Sequence, residues 1–104
     1  MWEGKMITFI RSVTAQPGKI GEAVVWGKEI VAIVKRVTGK EITLCTAFGG
    51  AIGGVAWIGQ YDNMAQAEDS LSKLTADREY LAALTKAAQL FVAGSGHDQF
   101  WKHT

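Results

Sequence analysis

The sequence predicts an α+β fold, a four-stranded antiparallel sheet with helices on one face, in the order strand, helix, strand, strand, helix, strand. Three observations carry that prediction. Residues 5–14 and 42–61 are rich in β-branched and aromatic side chains that alternate with period two. Residues 17–38 and 63–91 space their apolar side chains as helices do. The length, 104 residues, suits one domain, residues 1–104. A chain of this size hides roughly 65% of its unfolded surface, enough for a real core.

The first strand, KMITFIRSVT, ends before a turn-like AQPG. Alternation puts Ile7, Phe9, Arg11 and Val13 on one side and Met6, Thr8, Ile10 and Ser12 on the other, and neither side is strongly polar. Pro17 stands where a helix can begin, because its missing N–H would go unpaired there. Ile20, Ala23, Val24, Gly27, Ile30, Val31, Val34 and Val37 then recur at helical spacing, with Trp26 near the edge of the stripe. Lys19, Glu22, Lys28, Glu29, Lys35 and Arg36 fall largely off it, and Gly39 is a stop signal. Residues 17–38 therefore read as an amphipathic helix with one side in the core.

The stretch ITLCTAFGGAIGGVAWIGQY, 42–61, carries no charge and holds two G-x-x-x-G spacings, Gly49 to Gly53 and Gly50 to Gly54. A membrane span, a phosphate loop and a β-hairpin each predict part of this pattern. Ile42, Leu44, Thr46 and Phe48 alternate with Thr43, Cys45 and Ala47; after GGAIGG, Val55, Trp57, Gly59 and Tyr61 alternate with Ala56, Ile58 and Gln60. Glycine supplies the positive φ that tight turns need, so a hairpin explains the glycines, the alternation and the boundaries together. No membrane span is expected, because glycines, threonines and a glutamine interrupt the run and Lys/Arg anchors are not close on both sides of it. No phosphate site is expected either. Val55 and Ala56 stand where a Walker loop needs Lys and Ser/Thr, and a strand follows the glycines where a dinucleotide fingerprint needs a helix.

Asn63 and Gln66 form a capping pattern that opens a second helical region. Met64, Ala67, Leu71 and Leu74 share one stripe, Thr75-Ala76-Asp77 interrupts, and Leu81, Leu84, Ala88 and Phe91 continue on one face. Residues 63–91 thus read as helix broken near 75. Gly94 and Gly96 close it, and HDQFWKH, 97–103, reads as the last strand. Two split βαβ units make a ferredoxin-like arrangement. Its uncovered sheet face lacks the apolar/polar alternation of a water-facing sheet, so it is expected to pair with a copy of itself as a homodimer.

The net charge is +1 with no basic stripe, so no nucleic-acid partner is expected. A lone Cys45 forms no internal disulfide, and no Cys/His spacing suggests a metal. The opening MWEGKMITFIRSV, with Glu3 early and a short apolar run, does not read as a signal peptide, and the expected compartment is the cytoplasm.

Lys19 in PGKIGE, the tract GGVAWIGQYDNMAQAE and the segment LTADREYLAALTKAAQLFV resemble the NIPSNAP-like branch of the dimeric α+β barrel superfamily. Tyr61-Asp62-Asn63 is similar to that branch's aromatic-Asp-Ser turn. Leu74, Asp77, Glu79 and Tyr80 match its L-x-x-D-P-E-aromatic segment, with Arg78 at the proline position. Gly59 stands where the branch often has an aromatic or basic residue, with Trp57 further back. The likeness spans roughly residues 5–103 and implies a dimeric α+β barrel. The superfamily also holds small monooxygenases, haem-degrading enzymes, lactone isomerases and dye-type peroxidases, while NIPSNAP-like members have no settled reaction. Haem degradation on this fold uses a ligand, usually histidine, on the late helix; EYLAALTKAAQLF has none, and no cofactor is expected.

Trp26, Phe48, Trp57 and Trp101 are candidate pocket-lining residues, with Arg11 and Gln60 to orient an anionic oxygen. That set points to a cofactor-free monooxygenase- or isomerase-like enzyme acting on a small aromatic or apolar metabolite. The alternative is a non-catalytic ligand-binding or structural homodimer. There Trp57 and Phe48 belong to the core or the dimer interface, and Arg11 pairs with a carboxylate or reaches solvent. The enzyme predicts a cavity of a few hundred Å³ with convergent polar groups; the alternative predicts filled space and no perturbed titratable group. Cys45 reads as a structural thiol, and His97 and His103 are too far apart for a metal site. His97 and Asp98, as neighbours on a strand, point to opposite faces. Asp62 and Asn63 read as a helix cap rather than as catalytic groups.

Overall fold

A computed structural model describes residues 6–104. Lys5, expected to open the first strand, and the first five residues of the segment read as no signal peptide, Glu3 among them, lie outside the described residues. The chain runs β1 (Ile7–Thr14), α1 (Ile20–Thr38), β2 (Thr43–Thr46), β3 (Gly54–Tyr61), α2 (Met64–Thr75), α3 (Arg78–Ala87) and β4 (His97–Lys102). The sheet order is β2-β3-β1-β4, and every neighbouring pair is antiparallel. This is the expected ferredoxin-like α+β arrangement with the second helical region split in two.

Register fixes the two faces. Ile7 pairs with Tyr61, Phe9 with Gly59, Arg11 with Trp57 and Val13 with Val55. Of these residues, Ile7, Phe9, Val55, Trp57, Gly59 and Tyr61 are buried under the helices. On β4, Asp98 lies opposite Arg11 and Phe100 opposite Phe9, on the same face. Thr8, Ile10, Ser12, Cys45, Ala56, Ile58, Gln60, His97 and Trp101 alternate onto the uncovered face.

Helix α1 starts at Ile20, not at Pro17. Pro17 and Gly18 form a turn, with Gly18 at φ +80° and the Lys19 N–H donating to the Gln16 carbonyl. Its last turn closes as expected: Gly39, at φ +77°, donates its N–H to the Lys35 carbonyl. The buried side of α1 is Ala23, Trp26, Gly27, Ile30, Ile33 and Val34, so Trp26 sits inside the core rather than at its edge. At Gly27 the helix meets the sheet. A Cβ there would lie 3.0 Å from a Leu44 methyl and 3.3 Å from the Trp57 ring. The bare backbone lets the Trp57 indole N–H donate to the Gly27 carbonyl at 3.1 Å. Trp26 likewise donates to the Ala83 carbonyl of α3 at 2.8 Å. Trp26, Trp57 and Phe91 meet edge-on, with ring centroids 5.3–6.3 Å apart, and form the aromatic centre of the core.

Asn63 caps α2 by accepting the Gln66 N–H at 2.9 Å, and the Gln66 side chain accepts the Asp62 N–H at 2.8 Å. Asp77 caps α3 through the Tyr80 N–H at 3.0 Å. Arg36, at the end of α1, reaches Asp77 at 2.8 Å and Glu79 at 2.7 Å, which pins the break between α2 and α3. Helix ends before residues 88–91, which were expected to continue it; Phe91 instead makes a β-bridge with Ala15. That bridge is what carries Phe91 into the core. β2 is shorter than expected, and Phe48 stands in the β2–β3 connection. No helix among the described residues is long and apolar enough to cross a membrane.

Candidate functional site

The space between the sheet and the helices is not completely filled. A cavity of about 70 Å³ lies among Phe9, Arg11, Trp26, Ile30, Trp57, Tyr61, Leu74 and Tyr80, with other apolar side chains completing its wall. A more open groove of about 340 Å³ runs beside it, towards β4 and the end of α3, lined by Ser12, Phe91, His97 and Asp98 among others. Arg11, Trp26 and Trp57 line both spaces and form the partition between them. For scale, a cavity of about 150 Å³ holds benzene, so the inner space alone is smaller than one aromatic ring.

Arg11 organises the polar part of the site. Strand register puts it between Trp57 on β3 and Asp98 on β4. Its Nε donates to Asp98 Oδ1 at 2.7 Å and its Nη2 to Asp98 Oδ2 at 2.8 Å, a two-pronged ion pair. The third nitrogen, Nη1, donates to the Tyr80 hydroxyl oxygen at 3.3 Å. The guanidinium carbon also sits 5.5 Å from the Phe9 ring centre. Pairing with Asp98 raises the Arg11 pKa, and the Arg11 hydrogen bonds hold the Asp98 carboxyl below the usual carboxylate range. Burial pushes the Tyr61 phenol up, partly offset by a hydrogen bond with the Ser70 hydroxyl. All three shifts reinforce the ordinary charge state at neutral pH, so none of these groups is poised as a general base there.

Solved structures with the same fold follow from this geometry. A NIPSNAP family protein of Agrobacterium tumefaciens superposes with a TM-score of 0.81 at 21% identity, over 95% of this chain and 86% of that one. A second from the same organism, described as of unknown function, gives 0.82 at 20% identity, over 97% and 90%. An uncharacterised NIPSNAP-like domain protein of Burkholderia xenovorans gives 0.81 at 14% identity, over 97% and 87%. The chain is NIPSNAP-like in fold. No protein-family model matches the sequence and no curated protein does, so the likeness is one of architecture.

Within this NIPSNAP-like frame, three of the six candidate residues come together: Arg11, Trp26 and Trp57. Gln60 does not join Arg11. It is exposed on the opposite face of β3, out of phase with Trp57 by one residue. Trp101 also lies on that uncovered face, 57% exposed, and Phe48 is fully exposed in the β2–β3 connection. The expected anionic-oxygen clamp of Arg11 and Gln60 is therefore not formed. Arg11 is held by a carboxylate, as the simpler reading of this residue had it. Two cavity groups were not singled out from the sequence, the phenols of Tyr61 and Tyr80. Tyr61 is in phase with Trp57 along β3, a signal the sequence did contain. Tyr80 opens α3 beside the Asp77 cap and reaches Arg11 only through the tertiary fold. His97 and Asp98 do point to opposite faces. Cys45 is half-buried on the uncovered face, and no cluster of metal-ligating side chains occurs among the described residues.

Proposed function

We propose that this chain is a cytoplasmic homodimer that binds a small aromatic or otherwise apolar metabolite between sheet and helices. The observation that carries this reading is the partition of Arg11, Trp26 and Trp57, which joins an apolar inner cavity to a wider groove. A one-ring molecule spanning both would exchange water for two indoles and meet a polar pair, Arg11 and Tyr80, at one end. The dimer is supported by the uncovered sheet face. Its strand residues include no Asp, Glu, Lys or Arg, and Ile10, Ala56, Ile58 and Trp101 lie across it. Packing that face on its own copy across a two-fold would remove an apolar patch larger than a monomer ordinarily exposes. A single half-buried thiol, Cys45, suits a reducing compartment.

One feature favours a second reading, a cofactor-free monooxygenase- or isomerase-like enzyme. The Arg11 Nη1–Tyr80 pair would polarise a carbonyl or phenolic oxygen of a bound substrate. Binding and turnover separate cleanly in one experiment. A panel of one-ring aromatic compounds is titrated by calorimetry, and each binder is then followed for oxygen uptake and isomerisation. Saturable binding that weakens in Arg11→Leu supports the ligand site, and added turnover supports the enzyme. A panel without any saturable binder would overturn both.

A further inference from the structure

Asp98 occupies two of the three nitrogens of the Arg11 guanidinium, with both of its carboxylate oxygens engaged at 2.7 and 2.8 Å. The pair is close to neutral as a unit. The third nitrogen, Nη1, turns to α3 and gives one of its two N–H groups to the Tyr80 oxygen. Because the Tyr80 oxygen accepts there, its own O–H remains a donor, and no other hydrogen bond to that hydroxyl occurs among the described residues. Around these groups the wall is apolar: Phe9, Trp26, Trp57, Ile30 and Leu74.

We infer that Asp98 sets the ligand class of the cavity, admitting uncharged molecules that carry a hydrogen-bond acceptor, such as an amide or ketone oxygen, and rejecting carboxylates. The inference rests on the reading of the cavity as a ligand site. A carboxylate entering beside Arg11 would be the second anion on one guanidinium, desolvated against indole and phenyl rings. A neutral carbonyl carries no such penalty and meets the Tyr80 O–H. Arg11 and Asp98 are each about 40% exposed (38% and 42%), so solvent softens the discrimination without removing it. The expected preference is about tenfold.

Benzamide and benzoate, nearly equal in shape and opposite in this property, test the inference by calorimetry at neutral pH. The wild-type chain is expected to bind benzamide about tenfold more tightly than benzoate. Asp98→Asn frees the Arg11 charge and is expected to reverse the order, while Tyr80→Phe weakens benzamide and leaves benzoate unmoved. Circular dichroism confirms that each variant is folded, and the wild-type ratio stands as a test without either. Benzoate binding as tightly as benzamide to the wild type would overturn the role of Asp98 and leave the ligand site standing. Binding of neither probe would overturn the ligand site and this inference with it.

Discussion

The two faces of the sheet are built from the same strands yet do opposite things. The covered face buries Ile7, Phe9, Val55, Trp57 and Tyr61, and it also holds a half-buried ion pair, Arg11 with Asp98. The uncovered face carries smaller and more neutral groups, among them Thr8, Ser12, Cys45, Ala56 and Gln60, with Ile10, Ile58 and Trp101 between them. The charge thus lies on the side with the helices, and the side without them has none in its strands. Average polarity does not separate the faces. Size does: the large apolar and aromatic side chains share one phase of each inner strand, and the helices cover that phase.

The largest effect expected from this contrast is at Trp57. It is 6% exposed, packs against Trp26 and Phe91, and donates to the Gly27 carbonyl. Trp57→Ala should cost about 3–5 kcal/mol of unfolding free energy in a urea titration. A loss below about 1 kcal/mol would mean that the covered face is not the core. Next comes Trp26→Phe, which keeps an aromatic ring and removes the indole bond to Ala83; a loss of about 1–2 kcal/mol is expected by the same titration.

A third prediction concerns acid. The Asp98 carboxyl is held below its ordinary value, chiefly by the hydrogen bond from Arg11. A depressed folded-state pKa contributes stability that is present above the unfolded value, near about 4, and is lost as pH falls through the lowered one. The urea midpoint should therefore drop on acidification below about pH 4, and Asp98→Asn should flatten that drop. An unchanged slope in the variant would take the ion pair out of the account. The smallest effect is at Trp101, 57% exposed on the uncovered face. Trp101→Ala should shift the unfolding free energy of a dilute, monomeric sample by no more than about 0.5 kcal/mol.

The order of elements was legible because each element carries its own period, and the hairpin was legible because glycines punctuate two alternating runs. The start of α1 was not. Pro17 fits the first helical position, yet Gly18 beside it takes a positive φ and spends both residues on a turn. The burial of Trp26 was not legible either, since it depends on α3 packing beside α1 and offering the Ala83 carbonyl. In the site, Arg11 was readable from its phase with Phe9 and Val13. Grouping Gln60 with Arg11 set residue type above phase, and the sheet puts the two on opposite faces. Phe48 and Trp101 were chosen as aromatic residues alone, and nothing local told a core ring from an exposed one. The Arg11–Asp98–Tyr80 constellation joins β1, β4 and α3 across 69 and 87 positions of sequence, a distance no local pattern spans.

The contrast between the faces is tested most directly by sedimentation equilibrium at micromolar concentration on the wild type and Ile58→Lys. Ile58 lies on the uncovered face, opposite Ile10 of β1 and Thr43 of β2. The account predicts twice the chain mass for the wild type and a folded species of single mass for the lysine variant. A wild-type chain that stays at single mass throughout, with that face left to water, would contradict it.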